Sequence, residues 1–487
     1  MKKSHLTMCK MGIFALIGAS SLFLASCAGD GFDNDESFVA GNGVKNTKLT
    51  TPSADDITIE PSTDGSKQTI SWPVVYGAGG YKAVLTNTTT NEVVVDSIMD
   101  GLSFATAREE DTNYKLTLKV LGNAELGNTE GDEVAKNFST FTPTFATIPA
   151  GDLNKYFKEH PIADDQTDEL NYDLEPAGAY TLSEPLNFQY HKVALRSTDK
   201  GKPATITVGD NANFITGNNF SLKYLNINIS LTAVDNAKPL VELYKYEEEP
   251  VNILDKPKNY YIINSMNLIS CNIKGVVGSL IYDNNKAYCI SGLSIKNCFI
   301  QAVTTAAKIK NQAFISFEGG GVKDFTMENC TVYQTGEKIN KYFLRYNNSV
   351  RADRITGSNT DFTTFVWKNN TFYKLLENNG DNAGQWFNCN GCENYSTYLV
   401  QNNIWVDCSK QIVRRVKGNS RLGTNSQITL LHNTYWADGE AADQGEHDTT
   451  GTILTTDPAF TDAANANFTP TGAEQVQYKT GDSRWFQ

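Results

Sequence analysis

Tyr398-Leu-Val-Gln-Asn-Asn-Ile-Trp405 decides the fold, because the chain repeats it. The same template runs through Leu293-Ser-Ile-Lys-Asn-Cys-Phe-Ile300, Phe325-Thr-Met-Glu-Asn-Cys-Thr-Val332, Phe365-Val-Trp-Lys-Asn-Asn-Thr-Phe372 and Ile428-Thr-Leu-Leu-His-Asn-Thr-Tyr435. Each segment reads apolar, any, apolar, any, Asn or His, Asn or Cys, any, apolar. The fifth positions, Asn297, Asn329, Asn369, Asn402 and His432, lie 32, 40, 33 and 30 residues apart. A recurring interval of this size is the signature of a solenoid. Period-two alternation rich in Ile, Val, Phe, Tyr and Trp makes the repeated unit a strand.

A second column lies upstream of each segment: Leu280-Ile-Tyr-Asp283, Ile315-Ser-Phe-Glu318, Leu344-Arg-Tyr-Asn347, Trp386-Phe-Asn-Cys389 and Val413-Arg-Arg-Val416. One turn is therefore strand, loop, strand, tight corner, strand and return. This is the layout of a parallel β-helix, whose rungs pair at roughly 4.8 Å. Cys271, Cys298, Cys330, Asn370, Asn403 and Asn433 should stack along the corner, since Asn accepts a left-handed backbone and its amide reaches the next rung. Aligning the second column turns Leu280, Ile315, Leu344 and Val413 inward. Ile281, Ser316, Arg345 and Arg414 then face outward.

The chain begins with a different chemistry. Lys2, Lys3 and Lys10 precede an apolar run from Met11 to Leu24 and then Leu24-Ala-Ser-Cys27, the pattern of a signal peptide. Leu-Ala-Ser-Cys resembles a bacterial lipobox, which implies lipidation at Cys27. The following Asp30, Asp33, Asp35 and Glu36 resemble the surface-export signal of Bacteroidetes lipoproteins. From Lys48 to Phe145 short alternating strands predict a β-sandwich. The Trp72 strand, the Tyr81 strand and Tyr114-x-Leu-x-Leu-x-Val120 resemble a fibronectin type III module, with Tyr114 at its corner tyrosine. Gly151 to His160 reads as a helix able to cap a β-helix. Ala179-Tyr-Thr-Leu, Leu186-Asn-Phe, Val193-Ala-Leu-Arg-Ser, Ala204-Thr-Ile-Thr-Val and Leu222 to Ile229 resemble early rungs of pectate-lyase-like β-helices. Asp457 to Asp462, Asn467 to Pro470 and Gly481-Asp-Ser-Arg-Trp485 resemble the closing segment of β-helix domains from polysaccharide utilisation systems. The expected organisation is all-β: signal peptide 1–26, lipidated tether 27–47, fibronectin type III-like sandwich 48–145, right-handed parallel β-helix of the pectin-lyase type with a capping helix 146–470, and a tail 471–487.

A net charge of −13 argues against nucleic acid, whose phosphates demand a basic face. Seven cysteines follow Cys27, all from Cys271 onward. An odd number cannot fully pair, and Cys389-Asn-Gly-Cys392 without a second pair is a weak zinc signal.

Fold is not function, so the chemistry must come from a site. Of polygalacturonase motifs only Asn359-Thr-Asp361 is present and Gly-His-Gly is missing, and the Arg-x-Pro-x-x-Arg element of many pectate lyases is missing too. The asymmetry is in arginine: six of nine fall between Arg345 and Arg421, namely Arg345, Arg351, Arg354, Arg414, Arg415 and Arg421. Guanidinium forks suit carboxylates, so these six are the candidate contacts to an anionic, uronate-containing polysaccharide. The bland reading pairs them with neighbouring carboxylates on a solvated face. A lyase alternative makes Arg345 or Arg414 the base and calcium, held by Asp283, Glu318 or Asp353, the counter-ion to the uronate; the binding reading needs no cofactor. Tyr333, Tyr373 and Trp436 share a repeat position and are either core or a sugar platform. The expectation is an outer-membrane lipoprotein, exposed at the cell surface and held by its lipid alone, that serves glycan utilisation beside a glycan-import complex.

Overall fold

The computed structural model describes residues 44–62, 67–230, 238–246, 261–303, 313–335, 342–346, 363–376, 385–389, 396–409, 412, 425–443 and 445–486. The chain divides into two compact units, the first ending at Phe141 and the second beginning at Thr142.

Among its described residues the first unit has seven strands: β1 (Thr58–Pro61), β2 (Lys67–Ser71), β3 (Tyr81–Asn87), β4 (Glu92–Met99), β5 (Ser103–Ala107), β6 (Asn113–Val120) and β7 (Val134–Ser139). They form two antiparallel sheets, ordered β1-β2-β5 and β4-β3-β6-β7. Alternation decides the packing: Ala83 and Leu85 of β3 and Leu116 and Leu118 of β6 are buried with Ile70 and Trp72. The Tyr114 hydroxyl accepts the Glu109 N–H at 3.2 Å. That tie, five residues back, is the bond a corner tyrosine makes.

The second unit winds three long sheets around one core. Among the described residues face one has ten strands, from Ala146–Ile148 to Gln427–Leu431, and face three has seven, from Leu186–Asn187 to Gln385–Cys389. Face two has eleven strands among the described residues. Ten are parallel, from Gly151–Asp152 to Thr434–Ala437, and Glu440–Ala441 closes it antiparallel. Neighbouring strands on each face belong to successive turns, which makes the unit a parallel β-helix.

The five repeated segments straddle the corner between faces one and two, and two neighbouring residues divide the work there. The fifth position takes the left-handed backbone: φ is 55° at Asn297 and Asn329, 53° at Asn369, 54° at Asn402 and 49° at His432. The sixth position turns inward and is fully buried. Asn370 Nδ2 donates to Asn403 Oδ1 at 2.9 Å, and Asn403 Nδ2 to Asn433 Oδ1 at 3.1 Å. The same amides also donate to the carbonyls of Met327, Trp367 and Val400 at 2.7–2.8 Å. Earlier rungs put thiols in this column, as where Cys298 Sγ meets Leu268 O at 3.3 Å. Cys271, Cys298 and Cys330 are free and buried, while the side chains of Cys389 and Cys392 lie outside the described residues.

The corner also corrects the reading of Leu222 to Ile229 as one strand. Tyr224 has φ 58° and splits it into Phe220–Lys223 on face one and Leu225–Ile229 on face two. No Asn marks that corner, so alternation alone ran through it.

Inside, aromatic rings fill the late rungs, with Phe343 stacked on Trp386 at 4.2 Å and Trp405 on Tyr435 at 5.3 Å. The helix Leu153–Glu159 starts on an Asp152 cap, whose carboxylate accepts the Lys155 N–H. Its Phe157 packs against Tyr172 and Phe188 at 5.0 and 5.2 Å.

The C-terminal segment folds back across the rungs. A hairpin, Phe460–Asp462 with Asn467–Pro470, leads into the helix Ala473–Tyr478. Tyr478 then stacks on His432 at 4.0 Å, Gly481 N–H reaches Asn402 O at 2.7 Å, and Ser483 N–H reaches Asn329 Oδ1 at 2.7 Å. Arg484 Nη2 finally reaches Asn297 O at 3.0 Å. The hairpin settles two members of the aromatic column. Tyr333 and Tyr373 share a register, leave the core on face two, and are roofed by Phe468 at 5.2 and 5.3 Å. They are neither inward core nor an open sugar platform.

Candidate functional site

Face three carries the arginine that the sequence singles out. Its register aligns Ile281, Ile315, Leu344 and Phe387, all in the core, and beside them Tyr282, Ser316, Arg345 and Asn388. The expected alignment is one residue off at its first rung. Leu280 N–H bonds Phe314 O, and both Leu280 and Ile281 are fully buried. Two consecutive apolar residues enter the core where the chain bends, so Tyr282, not Ile281, occupies the outer column. Ser316 lies in that column but is covered.

Arg345 is half-buried in Tyr342–Tyr346, its guanidinium 4.8 Å from the centre of the Tyr342 ring. That cation–π contact restrains the long side chain. The five repeated corners between faces one and two take two residues each, whereas 16 residues connect Tyr346 to Thr363 and 11 connect Tyr373 to Gln385. Long connections therefore enter and leave at face three. Arg351, Arg354, Arg414, Arg415, Arg421, Asp353 and Cys27 all lie outside the described residues.

Asp283 has a structural task. It is fully buried; Oδ1 accepts N–H groups of Asn285 and Glu318 at 3.1 and 2.9 Å, and Oδ2 those of Gly319 and Gly320 at 2.8 Å. Both oxygens are committed to backbone, which leaves the carboxylate no open side for a cation. Glu318, half-exposed, accepts the Tyr282 hydroxyl at 3.2 Å. Burial first, and then the Glu318 carboxylate, push the Tyr282 phenol up, so it stays a donor. Among the described residues no three His, Cys, Asp or Glu side chains converge on one point.

Burial pushes the Asp283 pKa up to about 6 against the pull of its four N–H donors. A carboxyl that holds its proton more tightly folded than unfolded stabilises the fold least when ionised. Stability from this group is therefore highest below about pH 4 and falls as pH rises to about 6. In urea unfolding, the stability of wild type minus that of Asp283→Asn should fall by roughly 2–3 kcal/mol between pH 4 and pH 7. A flat difference would mean that the backbone donors cancel the cost of burial.

A tyrosine cluster escaped the sequence reading. Where face three turns into face one, Tyr246 lies on Tyr261 at 4.0 Å and nearly parallel to Tyr190 at 5.8 Å. Tyr288 donates its hydroxyl to Tyr244 O at 2.8 Å. The available signal was positional: Tyr261 and Tyr288 open successive face-one strands, and Tyr244 and Tyr246 follow a face-three strand.

Three family models match, each described as a domain of unknown function: DUF4992 over residues 1–183, DUF4957 over 178–335 and DUF5123 over 365–485. No curated protein matches. Among solved structures the chain is similar to pectate lyase PelI from Erwinia chrysanthemi in complex with tetragalacturonic acid. Identity is 11%, coverage 60% of this chain and 78% of that one, and the TM-score 0.13. It is also similar to pectate lyase Pel3 from Pectobacterium carotovorum, at 7% identity, 60% and 88% coverage and a TM-score of 0.13. Likenesses at that score carry no argument; the architecture rests on the strand registers.

Proposed function

We propose that the β-helix binds an acidic, uronate-containing polysaccharide along face three, with Arg345 as an anchor. The observation that carries this is the outer column Tyr282–Ser316–Arg345–Asn388. It puts a guanidinium restrained over the Tyr342 ring beside the Asn388 amide, on the face where the long connections enter. A fork of fixed donors matches a carboxylate, and the flanking polar groups match sugar hydroxyls. Arg351, Arg354, Arg414, Arg415 and Arg421 belong to the same reading as further contacts. Cys27 is proposed as a lipid anchor that keeps the protein on the outer membrane, at the cell surface, near a glycan-import complex. The sandwich then acts as a spacer; its three-plus-four strand order and the Tyr114 tie support a fibronectin type III likeness.

The test uses the chain from Ala28 onward in gels containing polygalacturonate, with ultraviolet absorbance recorded for unsaturated products. Retardation without new absorbance, weakened in Arg345→Ala, is the expected result. Rising absorbance lost in Arg345→Ala would make the protein a lyase and overturn binding alone. Absence of both signals would reject this glycan class.

A further inference from the structure

We infer that a second sugar site, for one uncharged pyranose ring, lies at the N-terminal end of face three. A cleft of about 200 Å³ opens there between the helix Leu153–Glu159, the segment that follows it and the turn after Leu186–Asn187. Its inner wall includes Phe157 and Ile162, and its polar groups are Asp164, Asn187, Gln189 and His191. A pyranose presents a C–H face to apolar walls and an edge of hydroxyls to polar groups, so this division fits one ring. The volume lies below the roughly 300–1,000 Å³ of drug-sized pockets, which limits the cleft to a single unit.

The backbone of the turn that carries Asn187 and Gln189 is held in place. Gln189 has φ 51°, with its N–H on Asn187 Oδ1 at 2.9 Å and its carbonyl accepting the Gly217 N–H. His191 is 7% exposed with Nδ1 3.3 Å from Gln166 O. That contact fixes the orientation of the ring. Beside the turn, Tyr190 is 52% exposed, backed by the parallel ring of Tyr246 and fixed through its carbonyl by Asn218 Nδ2 at 2.8 Å. An exposed, supported aromatic ring is a stacking surface for a neighbouring sugar.

Charge selects the ligand. Among the described residues the cleft is lined by the exposed Asp164 carboxylate and by no Lys or Arg, which disfavours a uronate relative to a neutral sugar. Asn187 also heads the outer column of face three, in register with Ile215 and, one rung on, Glu242. One chain could therefore enter the cleft with a neutral unit and meet Arg345 with a uronate. In this respect the inference extends the glycan reading, but its test is separate.

Saturation-transfer NMR on the chain from Ala28 onward would use galactotriose, xylotriose and trigalacturonate as probes. The expected result is transfer to at least one neutral trimer, stronger than to trigalacturonate and reduced threefold or more in both Tyr190→Ala and Asn187→Ala. Both side chains are exposed, and circular dichroism confirms that the variants fold. Arg345→Ala should leave this signal unchanged while losing retardation by polygalacturonate. No transfer to either neutral trimer, transfer that survives Tyr190→Ala, or a preference for trigalacturonate would overturn the neutral site. Wild type that takes a neutral trimer but ignores polygalacturonate would sink the acidic-glycan reading and leave this one standing.

Discussion

Asn403→Ala should cost about 4 kcal/mol and unravel the last rungs of the β-helix. Asn403 is fully buried in the middle of the amide ladder. Its Nδ2 serves Trp367 O at 2.7 Å and Asn433 Oδ1 at 3.1 Å, and its Oδ1 takes the Asn370 N–H and Nδ2 at 3.1 and 2.9 Å. Alanine strands the Trp367 carbonyl and two Asn370 donors away from water. Each unsatisfied buried group costs about 1–3 kcal/mol, a large share of a stability of roughly 5–15 kcal/mol. The adjacent residue is the control. Asn402→Gly keeps φ 54° at no steric cost, so the change should stay within about 0.5 kcal/mol apart from backbone entropy. Urea unfolding with amide exchange resolves the pair. Equal effects at Asn402 and Asn403 would contradict the division of labour between corner and ladder.

The second large effect belongs to the C-terminal strap. Asp482 is fully buried, accepts the Thr331 hydroxyl at 2.8 Å and pairs with Arg484 Nε at 2.5 Å, while its own N–H meets Thr371 Oγ1 at 3.0 Å. Burial pushes its carboxyl up, with the Arg484 charge opposing. Asp482→Ala removes one partner of a largely buried pair, which typically costs about 3–5 kcal/mol. The lower end applies here because Arg484 is partly exposed. The strap should detach first, since it is held to the rungs by scattered bonds at Asn402, Thr371, Thr331, Asn329 and Asn297. Limited proteolysis should then cut after residue 470, and Trp485, whose Nε1 donates to Thr331 Oγ1, should shift its fluorescence. Adding Arg484→Ala should recover part of the loss. Strict additivity of the two substitutions would show that the pair does not act as a unit.

The solenoid was legible because its signal is repeated. Alternation with an Asn or Cys after every fifth position exposes a corner even though no single segment is decisive. Which of two adjacent corner residues takes the positive φ was not legible, since Asn suits both the left-handed backbone and the ladder. The early rungs were harder: Tyr224 makes a corner without Asn, so Leu222 to Ile229 looked continuous. Register on face three slipped at Leu280 because two apolar neighbours both enter the core at a bend, and alternation cannot say which is in phase. The roof over Tyr333 and Tyr373 is a contact across more than 90 residues, supplied by Phe468, and no local pattern reports it. Counting charges singled out Arg345 as a candidate, and the strand register puts it on the outer column of face three. The cleft beside Tyr190 was missed because its walls come from a helix and a turn some 30 residues apart.

Calorimetric titration of a defined oligogalacturonide into the chain from Ala28 onward tests the central claim most directly. The account predicts measurable binding that weakens about 10- to 100-fold in Arg345→Ala, the roughly 1.5–3 kcal/mol of a charge-assisted bond. Arg345→Lys should recover only part of this, because an ammonium keeps the charge but not the fork. Equal affinity in wild type and Arg345→Ala would contradict a carboxylate site on face three.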